Sequence, residues 1–289
     1  MRIAILDLGT NTFHLLITSV NAKGEWKKVF KSKKAVKLGE GAIHKNEIAP
    51  VPFKRGIRAL LHYKKIIDIH KTEKVFAFAT SAIRSAKNGG EFVKAIHENT
   101  GIEVTVISGS KEAELIYFGV RQCFDLGTSP SLIMDIGGGS TEFIIANSKE
   151  IFWKQSYNIG AARLLELFAP SDPIQTVEIK KTEAFLSKEL SSLIVAVESY
   201  KPVKLIGSSG SFDTYAEMIG HHFYKKNVIR NANTYHFNMD EYFHLHQKIL
   251  FSTTAQRNKM KGLVKMRVDM IVLASICTAF VLRKTGIKE

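Results

Sequence analysis

Short apolar runs alternate along the chain with segments whose apolar positions recur at helical spacing. Residues 3–6 and 15–17 form two apolar runs on either side of a turn of small polar residues, and residues 132–134 and 143–145 repeat this arrangement. Runs of this length between turn-forming residues are typical of buried strands. In each half the strands come before the helical segments, so we predict a mixed sheet covered by helices, an α/β fold.

The other elements follow from spacing and from the residues that start or end them. Apolar residues at 57, 60, 61 and 67 lie on one helical face and predict a helix over 53–69. Ser110 is a favourable cap for a helix that runs to about residue 123. We further predict a hairpin at 21–24, strands at 26–36 and 104–107, and helices at 91–98, 161–168, 175–199, 211–220 and 270–282.

One polar turn occurs twice at a constant separation. Asp7 and Asp135 each follow an apolar run, precede a turn of Gly, Ser and Thr, and stand 128 residues apart. Thr80 and Ser208 end two further apolar runs and are also 128 residues apart. Two matches at one offset indicate a duplicated domain, and two such halves facing each other would form a cleft.

The two turns have the composition of phosphate-binding loops. Gly, Ser and Thr leave backbone N–H groups exposed around a concavity that accepts phosphate oxygens. The Asp at each strand end adds a hard oxygen ligand for a divalent cation. Two ordinary hairpins with glycine-rich turns would share some of these features, and the repetition favours phosphate binding.

Length and composition indicate a two-domain globular protein. The 289 residues, 45% of them apolar, suffice for two domains with separate cores. We place the first domain at 1–125, joined by the C-terminal helix 270–289, and the second at 126–269. Two cysteines give no disulfide framework, the chain opens directly on a strand, and the apolar run 270–282 is too short for a membrane span. We therefore predict a cytoplasmic protein with no membrane partner.

The charge balance indicates a polyanionic ligand. There are 41 Lys and Arg against 27 Asp and Glu, a net charge of +14, and a field of this sign attracts phosphate-rich molecules. Part of the excess lies in the segment 27–37, although such a run also suits an ordinary solvated face. The sequence has no helix-turn-helix, zinc-finger or aromatic sheet motif for reading bases. We therefore expect a phosphate polymer as the partner and no specific nucleic acid.

Six segments carry a more specific signal: residues 7–16, 79–84, 107–113, 135–142, 160–166 and 207–211. In their order, and over most of the chain, they resemble the exopolyphosphatase and guanosine pentaphosphate phosphohydrolase family. That family belongs to the actin, sugar-kinase and heat-shock-chaperone superfold. The resemblance implies two duplicated ribonuclease-H-like domains, each a mixed sheet flanked by helices, with the active site in the cleft between them.

The resemblance also implies an activity and residues for it. The expected reaction is metal-dependent hydrolysis of a phosphorus anhydride, which releases terminal orthophosphate from inorganic polyphosphate, guanosine pentaphosphate or both, with Mg²⁺ or another divalent cation as cofactor. The implied catalytic residues are Glu112, Asp135 and Glu142, and the implied metal ligands are Asp7, Asp135 and Glu142. The implied phosphate-binding residues are Asp7, Thr10, Asn11, Thr12, Arg84, Gly137, Gly138, Gly139, Ser140, Ser208, Ser209 and Gly210.

Elementary chemistry agrees with two of these roles. Glu112 lies near the start of a predicted helix, where the helix dipole favours a charged carboxylate, and an ionised Glu can order a water for attack on phosphorus. Arg84 can bind phosphate oxygens through two parallel hydrogen bonds. The alternatives are a simple helix-start preference for Glu112 and a structural salt bridge for Arg84.

The chain departs from the family pattern in three places. Lys111 stands where the family usually has an acidic residue, Thr12 replaces a usual serine, and residues 267–269 resemble the family's Arg-Ala-Asp but are followed by Ala274 where a glycine is expected. The superfold leaves open an ATP-dependent kinase or ATPase, and Lys111 leaves open a non-catalytic sensor of polyphosphate or nucleotide. The sequence also leaves a homodimer open.

The histidines have two interpretations. His236, His244 and His246 could suggest a metal site, but no matching Cys or Glu set accompanies them. We therefore interpret them as surface or helix-packing residues, and His221 and His222 receive the same interpretation.

Overall fold

The structure, a computed structural model, describes residues 1–229 and 232–289 and divides into two units, Met1–Ser108 and Gly109–Glu289, each with its own β-sheet. The strands of unit 1 are β1 (Arg2–Leu8), β2 (Thr12–Val20), β3 (Trp26–Ala35), β4 (Lys74–Ala79) and β5 (Val104–Val106). The strands of unit 2 are β6 (Ser131–Ile136), β7 (Thr141–Ala146), β8 (Ile151–Tyr157) and β9 (Leu205–Ser208).

The helices lie mostly in unit 2. Unit 1 has α1 (Pro50–Ile69), α2 (Ser81–Ser85) and α3 (Gly89–Thr100). Unit 2 has α4 (Gly109–Cys123), α5 (Ala161–Phe168), α6 (Thr176–Glu189), α7 (Ser191–Tyr200), α8 (Gly210–Phe223), α9 (Met239–Leu250), α10 (Thr254–Arg257) and α11 (Ile271–Thr285). Short 3₁₀ turns occur at Ile43–Lys45 and Lys265–Arg267.

The two sheets share one topology. Their strand orders are β3-β2-β1-β4-β5 and β8-β7-β6-β9. In both sheets the first strand runs antiparallel to its hairpin partner and parallel to the strand that returns after the helices, β4 or β9. Asp7 and Asp135 occupy the same place near the carboxyl end of that first strand, which confirms the predicted duplication. Each unit is therefore a mixed sheet flanked by helices, as the resemblance implies.

The core of unit 1 fixes the strand that leaves its first polar turn. Leu6 and Leu8 of β1 are fully buried in a cluster that α1 and α3 complete, as the alternation of a half-covered strand requires. The hydroxyl of Tyr63 on α1 donates a hydrogen bond to the carbonyl oxygen of Phe13 on β2 at 2.8 Å. This bond holds β2 against α1 one residue after the turn.

The sheet of unit 2 is covered on both faces. Ile133 of β6 and Ile144 of β7 are fully buried in a cluster with Ala113 and Tyr117 of α4, and the opposite face packs in the larger core formed with α5 to α9 and α11. A strand buried on both faces is apolar throughout, which explains the unbroken apolar runs in β6 and β7.

The structure corrects the predicted domain division in two places. Helix α4 belongs to unit 2, because its buried residues pack against β6 and β7, so the division falls after Ser108 and not at residue 125. Helix α11 is buried along most of its length among α5, α6, α7 and α9 of unit 2 and does not join the N-terminal unit. Both assignments depend on long-range packing, for which the local sequence pattern carries no signal.

Two smaller differences concern helix boundaries. The predicted helix over 175–199 is two helices, α6 and α7, which meet at Leu190. Ser110 lies inside α4 and does not cap it, since the helix begins one residue earlier.

Within residues 1–229 and 232–289, no helix has the length and apolar character that crossing a bilayer requires.

Candidate functional site

The first phosphate turn lies between β1 and β2 of unit 1. The N–H of Gly9 donates to the carbonyl oxygen of Thr12 at 3.2 Å, and a Cβ on Gly9 would lie 2.9 Å from that oxygen, so the turn requires glycine here. The carbonyl oxygen of Thr10 accepts a bond from the N–H of Leu38 at 2.6 Å, which anchors the turn. The Thr10 hydroxyl is buried and has no hydrogen-bond partner among the described residues.

Arg84 lies near the same edge of the unit 1 sheet. It belongs to α2, which follows β4 directly, and its Nη1 donates to the carbonyl oxygen of Ile107 at 3.1 Å. Strands β1 and β4 are parallel neighbours, with Leu8 opposite Ala79. The structure therefore brings the five residues predicted for unit 1 to the carboxyl ends of two adjacent strands: Asp7, Thr10, Asn11, Thr12 and Arg84.

The second phosphate turn connects β6 to β7 in unit 2 and is held by the start of α5. The N–H groups of Ala161 and Ala162 donate to the carbonyl oxygens of Gly137 and Gly138, both at 2.9 Å. The side chain of Arg163 donates through Nε to the carbonyl oxygen of Gly139 at 3.1 Å. These bonds occupy the carbonyl side of the turn and fix its shape, which explains why residues 160–166 accompany the turn in the sequence.

Three carboxylates converge beside this second turn. Asp135 and Glu142 lie opposite each other on β6 and β7, and Glu112 lies in the first turn of α4. Only 1% of Glu142 is exposed, and its Oε1 accepts a hydrogen bond from the Ser156 hydroxyl at 2.6 Å. Burial raises the pKa of Glu142 to about 8, and the charges of Glu112 and Asp135 add to the rise.

A third turn of small residues completes the cluster in unit 2. Ser208 lies opposite Asp135 in the parallel pair of β9 and β6, and the Ser209 hydroxyl donates to the carbonyl oxygen of Ile136 at 3.2 Å. Burial raises the pKa of Asp135 to about 6, while hydrogen bonds with Ser208 and Ser209 lower it. Ser209 has a φ of 68°, a strained value for a residue with a side chain, directly before α8 begins at Gly210.

Asp213 and Arg267 belong to this neighbourhood, although neither is among the predicted site residues. The charge of Asp213 acts on both Asp135 and Arg267. Nη1 of Arg267 donates to the Thr214 hydroxyl at 3.0 Å, and a Cβ on Gly210 would lie 1.4 Å from its Nη2, so a side chain at residue 210 would displace the guanidinium from this position. The family-like stretch 267–269 was the available signal for Arg267, whereas Asp213 becomes visible only in the fold.

Lys111 takes part in a surface ion pair. Its Nζ lies 3.1 Å from Oε1 of Glu114, one turn along α4, and Lys154 approaches the other oxygen of Glu114 at 3.5 Å. The hydrogen bond from Lys111 is the main reason that the pKa of Glu114 is lowered. The ammonium group of Lys111, the residue that departs from the family pattern, therefore pairs with Glu114, two residues beyond Glu112.

The carboxylates of unit 2 fit part of a site for a hard divalent cation. Mg²⁺ is usually held by one or two carboxylates together with substrate phosphates and water. Asp135 and Glu142 supply two such carboxylates. Their negative charges repel each other, and a bound cation would offset that repulsion. Within the described parts of the chain, no group of three or more His, Cys, Asp or Glu side chains could hold a metal ion by itself. Asp7, the third predicted ligand, belongs to unit 1.

Comparison with known proteins identifies the family. A model of the Ppx/GppA phosphatase family matches residues 16–285, and the chain belongs to that family. A crystal structure of an exopolyphosphatase from Cytophaga hutchinsonii is 37% identical and covers 100% of this chain and 92% of its own, with a TM-score of 0.95. A crystal structure of the Ppx/GppA family member from Aquifex aeolicus is 25% identical, with coverages of 100% and 92% and a TM-score of 0.77.

Two curated relatives are longer than this chain. The bifunctional 3-dehydroquinate synthase/phosphatase of Fusobacterium nucleatum is 30% identical over 286 residues, which are 94% of this chain and 42% of that protein. Exopolyphosphatase 1 of Mycobacterium tuberculosis is 28% identical over 221 residues, which are 76% of this chain and 64% of that protein. The chain therefore spans less than two thirds of the length of either relative.

Proposed function

We propose that this protein is a metal-dependent phosphohydrolase that releases terminal orthophosphate from inorganic polyphosphate, with guanosine pentaphosphate as the second candidate substrate. The convergence of Glu112, Asp135 and Glu142 beside the second phosphate turn carries this proposal. Hydrolysis of a phosphorus anhydride needs donors that hold the phosphate and a carboxylate that prepares a water, and both occur here within one unit. The relatives that are named exopolyphosphatases support polyphosphate as the first choice.

Glu112 orients the attacking water and accepts its proton. Its helix is held against the sheet by Ala113 and Tyr117, and the Tyr117 hydroxyl donates to the carbonyl oxygen of Asn147 at 3.0 Å. A carboxylate at the start of a fixed helix can hold a water in line with a phosphorus atom, and positioning supplies much of the catalysis of phosphoryl transfer.

The second turn binds the phosphate. The backbone N–H groups of residues 138–140 are the donors to phosphate oxygens, whereas the N–H of Gly137 already donates to the carbonyl oxygen of Ser140 at 3.0 Å. Hydrogen bonds with Ser208 and Ser209 orient Asp135. A divalent cation on Asp135 and Glu142 would supply the remaining neutralisation of phosphate charge.

A side-by-side assay tests the proposal and separates it from its alternatives. Orthophosphate release is measured from long-chain polyphosphate, guanosine pentaphosphate and ATP, each with magnesium and with a chelator. We expect magnesium-dependent release from polyphosphate, slower release from guanosine pentaphosphate and little from ATP. Release from ATP alone would identify an ATPase, and binding of polyphosphate without release from any substrate would identify a sensor.

A further inference from the structure

A group of basic side chains lies in unit 2 outside the site described above. His222 lies in the last turn of α8, Lys225 follows that helix, and His244 and Lys248 lie one turn apart on α9; we call these four residues the histidine–lysine cluster. Nζ of Lys248 lies 3.2 Å from Nδ1 of His222. The rings of His222 and His244 stack with their centroids 5.4 Å apart and an interplanar angle of 22°.

The cluster concentrates positive charge. Lys225 donates to the carbonyl oxygen of His222 at 3.3 Å, which keeps a second ammonium group beside the imidazole. Burial, Lys248, His244 and Lys225 together lower the pKa of His222. Glu241, a carboxylate on α9, accepts a hydrogen bond from the Tyr224 hydroxyl at 2.6 Å. Like charges at these separations disfavour one another, and a bound anion would relieve that repulsion.

We propose that the histidine–lysine cluster is a second binding site for a phosphate polyanion, which holds the distal part of a polyphosphate chain. Ammonium and imidazolium groups a few ångströms apart match the closely spaced charges of such a chain and form charge-assisted hydrogen bonds with its oxygens. The identity of the ligand rests on the proposed function, whereas the existence of an anion site rests on the cluster itself.

The distance to the candidate active site determines which substrates reach the cluster. Helix α8 begins at Gly210, in the third turn, and ends beside the cluster after 14 residues, a length of about 20 Å. A long chain can span that distance and occupy both sites. Inorganic tripolyphosphate is too short to do so, and it therefore serves as the reference ligand.

The cluster also predicts a pH dependence. In the free protein, Lys248 and Lys225 disfavour the protonated form of His222, and a bound polyanion favours it. Binding of a long chain therefore takes up protons and strengthens as the pH falls from about 8 to about 6, the range in which histidines titrate. Tripolyphosphate held at the candidate active site does not reach the cluster, so its binding at that site lacks this contribution.

The experiment compares two charge-matched double variants of the full chain by calorimetric titration in chelator, which prevents metal-dependent turnover. The test variant is His244→Gln with Lys248→Gln, two exposed residues of the cluster. The control is His236→Gln with Lys188→Gln, which removes the same groups from exposed positions elsewhere in unit 2. Long-chain polyphosphate and tripolyphosphate are each titrated at about pH 6 and pH 8, and over a salt series.

We expect the test variant to bind long chains roughly fivefold to tenfold more weakly than the control at the lower pH, with a smaller difference at the higher pH. Each cation lost from a polyanion contact should reduce the slope of log affinity against log salt by about one. Tripolyphosphate should bind the candidate active site of all proteins alike. Equal long-chain affinity for the test and control variants, or an equal loss for both ligands, would overturn the inference. If the wild type binds neither ligand in chelator, the inference fails, whereas the proposed function is tested separately by the magnesium-dependent release of orthophosphate.

Discussion

Gly160 shows how one residue sets the shape of the second phosphate turn. A Cβ at this position would lie 2.5 Å from backbone atoms of Gly138 and Gly139. Backbone atoms cannot turn aside as the end of a flexible side chain can, so any substitution must displace the turn. The missing side chain lets α5 begin directly against the turn and donate its first N–H groups to it.

Replacing Gly160 with Ala should therefore destabilise unit 2 and impair phosphate binding. Forced overpacking of this kind costs about 1–3 kcal/mol, which urea unfolding measures, and the apparent KM for substrate should rise. Gly119→Ala is the control, because a methyl group added at that helical position would meet no atom within 4 Å apart from the nearby backbone of its own helix, and would gain up to about 1 kcal/mol from helix propensity. A Gly160→Ala protein as stable and active as this control would refute the assigned role.

Asp135 allows a test of the metal role at the same scale. Asn keeps the shape of the side chain beside Ser208 and Ser209 but removes the charge that attracts a cation. Magnesium titration of activity in Asp135→Asn should shift to higher concentration or flatten. Asp125→Asn is an isosteric change away from the carboxylates of the candidate site, and its magnesium titration of activity should match that of the wild type. Identical curves for all three proteins would exclude Asp135 as a metal ligand.

Helices α9 and α11 are joined by a buried polar contact. Nδ1 of His246 lies 2.7 Å from the Ser275 hydroxyl, and only 3% of the histidine is exposed. This arrangement confirms the packing interpretation of His246. Burial, with a smaller effect of the Arg283 charge, lowers the pKa of His246 to about 4.

His246 should make unit 2 less stable in acid. Between about pH 6.5 and pH 4 the unfolded chain binds a proton that the folded protein excludes, so the free energy of unfolding falls as the pH falls, by an amount on the order of 3 kcal/mol. In His246→Asn, which preserves a polar atom near Ser275, this loss should disappear. Urea unfolding across that range measures it, with His236→Asn, an exposed histidine, as control. Parallel stability curves for both variants and the wild type would contradict the assignment.

Elements with strong local signals could be predicted from the sequence, and those decided by packing could not. The helix at 161–168 agrees with α5, because Gly160 and the apolar spacing after it define the start and face of that helix. The sequence could not predict which unit α4 and α11 belong to, since the apolar pattern of a helix is compatible with either core. Within the candidate site, the carboxylates of the repeated motif were visible, whereas the nearness of Asp213 depends on how α8 follows β9.

The positive charge of the whole molecule is spread over different surfaces, and the sequence alone does not show which basic residues share a surface. Strand β3 is an edge strand, on which Lys31 and Lys33 lie opposite Leu16 and His14, whereas Lys34 lies opposite the buried Phe13. Alternate residues of a strand point to opposite faces, so Lys31 and Lys33 share a face that Lys34 does not. Lys31 and Lys33 thus form a row on one face that could guide a polymer. The run of lysines in the sequence does not show which of them share a face.

Neutralising that row tests whether it contacts polyphosphate. Lys31→Ala with Lys33→Ala should raise the apparent KM for long chains several-fold at low salt, and the effect should shrink as salt screens exposed charges beyond about 8 Å. Lys27→Ala with Lys34→Ala removes equal charge from the opposite face of the same strand, because a shift in the β2–β3 register between Ile17 and Thr18 places Lys27 opposite Ser19, on the same side as Phe13. If both double variants treat long and short chains alike at every salt concentration, the row is an ordinary solvated surface.

The central claim is that Glu112 prepares the water that attacks a phosphorus anhydride. The most direct measurement is the rate of orthophosphate release from polyphosphate, with saturating magnesium, for the wild type, Glu112→Gln and Glu114→Gln. Glu114 is the matched control because it lies two residues away on α4 and forms a surface ion pair with Lys111. We predict that Glu112→Gln lowers the rate by about 10²–10⁴-fold, as loss of a general base does, while Glu114→Gln stays near the wild-type rate. A Glu112→Gln enzyme that retains half of the wild-type rate would contradict the account.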